Sequence, residues 1–392
     1  MILVERHIIN NKHIYFNECD NLCFKSKNLY NELLYNIRQH FFKTKKYLNF
    51  NEQYHLIKNT DSYKNLPGKV SNQIIKLIDK NYKSFFKLLI KKLNCGLPKY
   101  LDKTNGRYII IYEKQAISTK SFKKDKTLHL SKTNIFVKTQ IDDFKLIKEV
   151  RIVPKNNHYI IEVVYNKLEK VNNNNVISAL DCGLKNLATI TFNNGKKPLI
   201  IKGGVLKSIN QYYNNKKAKY SSELKLKQKK HKSKKIINLT NKRHNKINDY
   251  MHKASRKLVN YLVSTQVGTL ILGKNTGQKQ NINLGKQNNQ NFTEVPIFRF
   301  LDMVSYKARL EGIKIIWQEE SYTSKCSFLD NEEIKKHSSY LGKRKHRGMF
   351  ISCTGKQINA DVNGSYNILR KAIPDFKYGI EGFAVNPKVL LI

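Results

Sequence analysis

The run Val176–Phe192, VISALDCGLKNLATITF, constrains the chain most. Ile177, Ala179 and Leu180 make an apolar strand that ends on a carboxylate, Asp181. Cys182, Gly183, Leu184 and Lys185 turn the chain, and Leu187, Ala188, Ile190 and Phe192 continue as a second apolar strand. Two further strands follow the same rule. Val267–Leu272 (VGTLIL) is a continuous apolar run, as a central strand covered on both faces should be, and Ile313–Trp317 leads into Gln318, Glu319 and Glu320. Long helical patterns lie between these strands, so the spacing predicts an α/β domain. A carboxylate at the end of a buried strand is costly unless something positive meets it. A divalent metal is one solution, and an Asp accepting backbone N–H bonds in the turn is the other.

Charge narrows the partners. Of the 392 residues, Lys+Arg number 73 and Asp+Glu 29, a formal net charge of +44. That excess points to nucleic acid, with an anionic membrane surface as the weaker reading and codon bias toward Lys and Asn as the bland one. Hydrophobic residues make up 40% and are spread through the chain, which excludes a disordered tail protein. No apolar run reaches the roughly 18–20 residues of a membrane span. The opening MILVERHIIN sets Glu5 and Arg6 where a signal peptide needs its apolar stretch, so a cytoplasmic, nucleoid-associated protein is expected. Cys19, Cys23, Cys95, Cys182, Cys326 and Cys353 do not form a disulfide framework.

Four Asn in a row, residues 172–175, are the best linker candidate. Ahead of them, 26–42 reads as an amphipathic helix with Tyr30, Leu33, Leu34, Ile37 and Phe41 on one stripe and Ser26 as its N-cap. Residues 69–92 repeat the pattern, with Lys76, Lys80, Lys83 and Lys87 on the opposite face. From about 107 to 166 the period changes to two, giving short strands, with Lys155, Asn156 and Asn157 as a hairpin turn. Nothing in this half has catalytic spacing. Beyond the linker, residues 206–264 read as an uninterrupted basic helical segment suited to a phosphate backbone. Lys225, Lys227, Lys229, Lys230, Lys234 and Lys235 crowd one stretch, and Arg243, Lys253 and Arg256 flank an apolar stripe further on.

Asp361 opens the helix pattern of NADVNGSYNIL, where backbone N–H groups favour a carboxylate and a simple capping role would account for it alone. Asp181, Glu319 or Glu320, and Asp361 together make a different case. Acidic groups converging in so basic a protein repel one another unless they hold cations. Mg²⁺ suits carboxylate oxygens, and two such ions stabilise both the attacking and the leaving oxygen of phosphodiester hydrolysis.

The series ALDCGLKNLATI, YTSKCS and INADVNGSYNILRKA resembles the RuvC nuclease of TnpB, the OrfB protein of bacterial insertion sequences, which is related to type V CRISPR effectors. SKNLYNELLYNIRQ, LPGKVSNQIIKLIDKNYKSFFK and GLPKY resemble its N-terminal half. The resemblance implies an RNase H-like (RuvC) α/β nuclease over 171–375. It implies an N-terminal wedge or mixed β-barrel over 1–170 with a helical recognition insert at about 20–95, and it leaves 376–392 as a C-terminal tail. The implied function is RNA-guided, Mg²⁺-dependent cleavage of double-stranded DNA directed by a guide RNA, in the context of transposition. The implied catalytic and Mg²⁺-holding residues are Asp181, Glu320 and Asp361, with Glu319 in reserve.

The chain departs from the family pattern twice. The usual second carboxylate follows the apolar strand, where this chain has Leu272, Gly273, Lys274 and Asn275. Some relatives carry the Glu just before the Tyr-Thr-Ser motif instead, and Glu320 matches that position; alternation along the strand does not choose between Glu319 and Glu320. The family's zinc ribbon is reduced over 326–358 to Cys326 and Cys353, with His337 and His346 nearby at no standard spacing, so a metal-free loop packed on Phe328, Leu329 and Phe350 is expected in place of Zn²⁺. Two other functions compete: a nuclease-dead RNA-guided DNA-binding repressor, favoured by Gly273, and a guide-free DNA-binding accessory protein.

Overall fold

The computed structural model describes residues 1–228, 233–275, 294–346, 348–373 and 386–392. The chain divides into two compact units, Met1–Lys167 and Leu168–Ile392.

In the first unit, strand β1 (Ile2–Asn10) is followed by four helices, α1 (Phe16–Thr44), α2 (Phe50–Ile57), α3 (Asp61–Lys64) and α4 (Gly68–Ile90). Strands β2 (Ile110–Glu113) and β3 (Ile117–Ser118), helix α5 (Thr119–Asp125), and strands β4 (Thr127–Leu130), β5 (Phe136–Lys138), β6 (Ile147–Lys155) and β7 (His158–Asn166) complete it. They form a four-stranded antiparallel sheet in the order β1-β7-β6-β2 and a three-stranded sheet β3-β4-β5. The β6–β7 hairpin turns on Asn156 and Asn157, and Asn157 takes the left-handed conformation (φ 64°) that asparagine tolerates. The sequence reading missed β1, although its nine residues pair with β7 throughout.

Ser26 does not cap a helix. It lies fully buried inside α1, which starts ten residues earlier, and its hydroxyl donates to the Ile109 carbonyl at 2.8 Å. The α1 and α4 stripes pack on each other and on the larger sheet, with Leu33, Leu34, Ile37, Ile74 and Ile78 in one core. Each such side chain contributes roughly 1.5–3 kcal/mol of burial.

The second unit opens with β8 (Val176–Asp181), β9 (Asn186–Phe192) and β10 (Leu199–Lys202). Helices α6 (Gly204–Gln228) and α7 (Lys234–Ser264), strand β11 (Val267–Lys274), helix α8 (Ile297–Leu310) and strand β12 (Lys314–Glu319) follow. Then come β13 (Lys343–His346), β14 (Met349–Ile351), β15 (Gln357–Asn359), helix α9 (Ala360–Ala372) and β16 (Lys388–Val389). The main sheet runs β12-β11-β8-β9-β10-β16, parallel across β12, β11 and β8 and antiparallel across β8, β9 and β10.

Alternation along the strands explains the layers. Leu180, Leu270 and Leu272 face a core made with α7 and α8, whereas Ala179 and Ile271 face a second core made with α9. Both faces are covered, so the central strands carry apolar side chains on both faces.

Three expectations need correction. Ile313–Trp317 belongs to an edge strand rather than a central one, and Trp317 is 43% exposed. The basic segment is two helices, not one: Ser233 starts α7, its hydroxyl accepting from the Ile236 N–H at 3.3 Å. Within the expected tail, Lys388–Val389 pairs in parallel with β10 as the other edge of the sheet.

Candidate active site

Asp181 is the last residue of β8, paired across the sheet with Thr189. Its carboxyl lies against α9 at Gly364, where a built Cβ would fall 2.9 Å from Asp181 Oδ2; any side chain there would displace the acid. Burial, and next the charges of Glu320 and Asp361, push the Asp181 carboxyl up to about 8, while Arg344 and the Cys182 N–H pull the other way. Both neighbouring acids and one base therefore act on a single carboxyl.

Glu320 follows the end of β12. Its carboxylate enters the space left by Gly273 on β11: a Cβ on Gly273 would sit 2.7 Å from Glu320 Oε2 and 3.3 Å from the Leu180 carbonyl, which precedes Asp181. Burial, and then Glu319, raise the Glu320 carboxyl above its ordinary range. Glu319 is differently placed. It is exposed, with Oε2 accepting from Lys371 Nζ at 2.6 Å and Oε1 accepting from the Ser321 N–H at 2.7 Å and from the Ser321 hydroxyl. Partial burial would raise its carboxyl, but the Lys371 and Ser321 donors outweigh that and hold it low.

Asp361 lies in the first turn of α9, which Asn359 caps by accepting from the Asp361 and Val362 N–H groups. The capping role considered for Asp361 therefore belongs to Asn359, and the Asp361 carboxylate is free to face outward from the helix start. There Oδ1 accepts from Arg344 Nη2 at 3.0 Å and Oδ2 accepts from Asn186 Nδ2 at 2.6 Å. Asn186 is 4% exposed, and its Oδ1 has no hydrogen-bond partner, an orphan acceptor beside the acids.

The donors here are hard oxygens, the chemistry that suits Mg²⁺. Among the described residues, no group of three or more His, Cys, Asp or Glu side chains is set close enough to hold a metal as arranged. On the Asp361 side, the Arg344 guanidinium supplies the positive charge.

Sequence reasoning did not single out Asn186, Arg344 or the polar residues inside α9. Ser365 donates to the Ala179 carbonyl at 3.1 Å and lies 3.0 Å from Thr191 Oγ1, pinning α9 onto β8 and β9. Asn363 accepts from the Phe328 N–H and donates to the Cys326 carbonyl, and Asn367 donates to the Thr323 and Cys326 carbonyls. The Tyr-Thr-Ser segment after Glu320 is thus clamped to the helix that carries Asp361.

The 326–358 segment has its own small core. Phe328 stacks on Tyr366 with ring centroids 4.4 Å apart, and Leu329 and Phe350 are buried beside them. Cys326 is buried with its thiol donating to the Lys335 carbonyl, whereas Cys353 is exposed with its thiol donating to Asp330 Oδ1 at 3.0 Å. All six cysteines are free.

The cations expected to meet nucleic acid fall into groups. Lys225 and Lys234 are exposed on α6 and α7, and Lys235 lies 4.1 Å over the Tyr220 ring. Arg243, Lys253 and Arg256 are engaged within the protein, by Asn210, by Asp249 and by Glu311. Lys229, Lys230 and the side chain of Lys227 lie outside the described residues.

A family model described as a probable transposase, OrfB_IS605, matches residues 157–279, and a Cas12f1-like TNB domain model matches 298–368. The chain is 30% identical over 207 residues to the CRISPR-associated endodeoxyribonuclease Cas12f2 of a Micrarchaeota archaeon (strain CG1_02_47_40). That match covers 50% of this chain and 36% of the relative, so the chain spans little more than a third of the length of that curated protein. The solved structure of a Cas12f1–sgRNA–target DNA complex has a similar fold, with TM-score 0.54 and 15% identity over 90% of this chain and 83% of that one. The resemblance to TnpB read from the motifs is borne out: along the chain an OrfB-type segment is followed by a Cas12f1-like TNB segment. Among the described residues, no helix is long and apolar enough to cross a membrane.

Proposed function

We propose that the chain is an RNA-guided DNA endonuclease of the TnpB type, acting with a guide RNA on double-stranded target DNA. The observation that supports this is that Glu320, after β12, and Asp361, in the first turn of α9, both act electrostatically on the Asp181 carboxyl at the end of β8. The sheet order, with β8 pairing in parallel with β11 on one side and antiparallel with β9 on the other, supports an RNase H-like catalytic unit, and the identities of the relatives support the guided-nuclease class. The helices inserted between β1 and β2 would then be the recognition insert of a wedge-like N-terminal unit.

Asp181, Glu320 and Asp361 would hold divalent cations, with the orphan Asn186 Oδ1 as a further hard-oxygen donor. Bound Mg²⁺ would neutralise the attacking and leaving oxygens of the phosphodiester. Asp181 and Glu320, disfavoured as bare anions by burial, would gain most from a cation held at the sheet end. Arg344 orients Asp361 and presents remaining guanidinium N–H groups to a phosphate oxygen once Asp361 is otherwise engaged. The basic surface of α6 and α7 concentrates the polyanion.

The test is cleavage, with Mg²⁺, of plasmid DNA carrying a sequence that matches RNA copurified with the protein. Glu320→Gln should abolish cutting and Glu319→Gln should largely spare it; normal cutting by both removes position 320 from the site. The Arg344–Asp361 ion pair favours one second reading, a guided DNA binder that does not cut. Guide-dependent binding by an unmodified protein that never cuts would establish that reading, and absence of any defined copurifying RNA would leave a guide-free DNA binder.

A further inference from the structure

Helices α6 and α7 pack side by side and leave a cavity of about 270 Å³ between them, lined among others by Tyr212, Tyr213, Leu239, Lys242, Arg243 and Lys246. These side chains divide into committed and uncommitted groups. The Tyr213 hydroxyl lies 3.2 Å from Thr240 Oγ1. Arg243 donates to Asn210 Oδ1 at 2.7 Å and to the Glu294 carbonyl at 3.3 Å, with its guanidinium 4.9 Å from the Tyr213 ring centroid. Those two form a fixed wall. Tyr212 is 56% exposed, and Lys242 and Lys246 are exposed with no ion-pair or hydrogen-bond partner among the described residues.

Lys242 and Lys246 stand four residues apart on α7 and so project from one helix face, where two like charges repel mildly. An anion lying across both removes that repulsion. Beside them are the apolar Leu239 and the exposed Tyr212 ring, with Lys216 Nζ 6.0 Å from its centroid as a further cation. An aromatic face flanked by cations matches the chemistry of a base and its adjoining phosphates. The volume lies just under the ~300 Å³ at which pockets for drug-sized ligands begin, a size for one base and not for a base pair.

We propose that this groove takes a single unpaired nucleobase of a single-stranded nucleic acid, stacked on Tyr212, with its neighbouring phosphates on Lys242 and Lys246. The inference rests on the nucleic-acid reading of the protein but not on its acid cluster, which lies on other elements.

The experiment is equilibrium binding of the full chain in EDTA to labelled strands of about 20 nucleotides: oligo-dT, oligo-rU, and the deoxyribose strand with every base replaced by an abasic site. The unmodified protein should bind a base-bearing strand roughly tenfold or more tightly than the abasic strand of equal charge, and the sugar on which this holds identifies DNA or RNA as the source. Tyr212→Ala should erase most of that preference and Tyr212→Phe should keep it. The Lys242→Gln, Lys246→Gln pair should weaken binding to all three strands and flatten the salt dependence by about one to two units of slope. A base preference that survives Tyr212→Ala, or equal binding to abasic and base-bearing strands, overturns the proposal. A Glu320→Gln protein should retain the preference, so failure of the nuclease reading and failure of the base site are separately visible.

Discussion

Replacing Gly273 by Ala tests the relocated acid without touching any carboxylate. The added methyl would meet Glu320 Oε2 and Ile368 Cδ1 at 2.7 Å each. Non-bonded heavy atoms settle at roughly 3.5–4 Å, so the Glu320 carboxylate must retreat by about 1 Å or the α9 side chain must move. The two closest contacts are ends of side chains, and the backbone contact, the Leu180 carbonyl at 3.3 Å, asks for a shift of only a few tenths of an ångström, so the fold should tolerate the change at a cost of roughly 1–3 kcal/mol. Misplacement of a reacting group by about 1 Å costs up to ~10²-fold in rate. Gly273→Ala should therefore lower Mg²⁺-dependent cleavage about 10- to 100-fold, measured as single-turnover rates on matched plasmid. The melting temperature should fall only a few degrees, and RNA copurification should be unchanged. Cleavage at the unmodified rate by a normally folded Gly273→Ala protein would show that the position of the Glu320 carboxylate does not matter to the reaction, and the proposed triad would lose its second member.

Asp181→Asn should abolish cleavage while raising metal-free stability by on the order of 1–2 kcal/mol, roughly 2–8 °C in Tm, because burial, and next Glu320 and Asp361, force the native Asp181 carboxyl to take up a proton on folding and the amide escapes that cost; a lower Tm by calorimetry in EDTA would contradict that cost. Lys307 on α8 is 4% exposed, donates to the His252 carbonyl and Ser255 hydroxyl, and is pushed down to about 8 by burial and then by Arg256. An unfolded lysine titrates near 10.4, so folding is penalised below pH 8 and the penalty is relieved as pH rises from 8 toward 10.5, by up to about 3 kcal/mol. Lys307→Met should thus be the more stable protein at pH 7 in denaturant titrations, with its advantage shrinking by pH 10; an advantage that does not change with pH would refute the buried charge.

The acids at positions 181 and 361 were legible because each sits where a local rule makes a carboxylate costly or specially favoured: the end of an apolar strand and the first turn of a helix. The choice between Glu319 and Glu320 was not, because alternation decides only when one face of a strand is buried, and β12 is an edge strand with mixed exposure. Only the match to relatives pointed to position 320, and the geometry separates the two by partner: Glu319 is held by Lys371 and Ser321, while Glu320 lies against Gly273. Arg344 was illegible for a different reason. One arginine among 73 basic residues carries no local signature, and it reaches Asp361 only because the β13–β14 hairpin folds back toward the start of α9. The break between α6 and α7 was missed because Lys-rich sequence favours helix on both sides of Ser233, and a single capping serine is a weak signal.

A stronger signal was present in α9 and went unread. Its interior holds Asn363, Gly364, Ser365 and Asn367, residues that cost a helix roughly 0.5–1 kcal/mol each relative to Ala. A helix serving only to cover a sheet would have no reason to carry four of them in five positions. Each answers a separate demand of the site: Gly364 clears room for the Asp181 carboxyl, Ser365 ties the helix to β8 and β9, and the two asparagines hold the chain that follows Glu320. Net hydrogen bonds at about 1 kcal/mol apiece offset the lost propensity without exceeding it by much, so stability alone would not maintain this sequence. What the four residues fix is position, of a helix start bearing Asp361 relative to a strand end bearing Asp181. A run of poor helix formers inside a buried helix is therefore the sequence mark of that geometry, and it is readable before any fold is known.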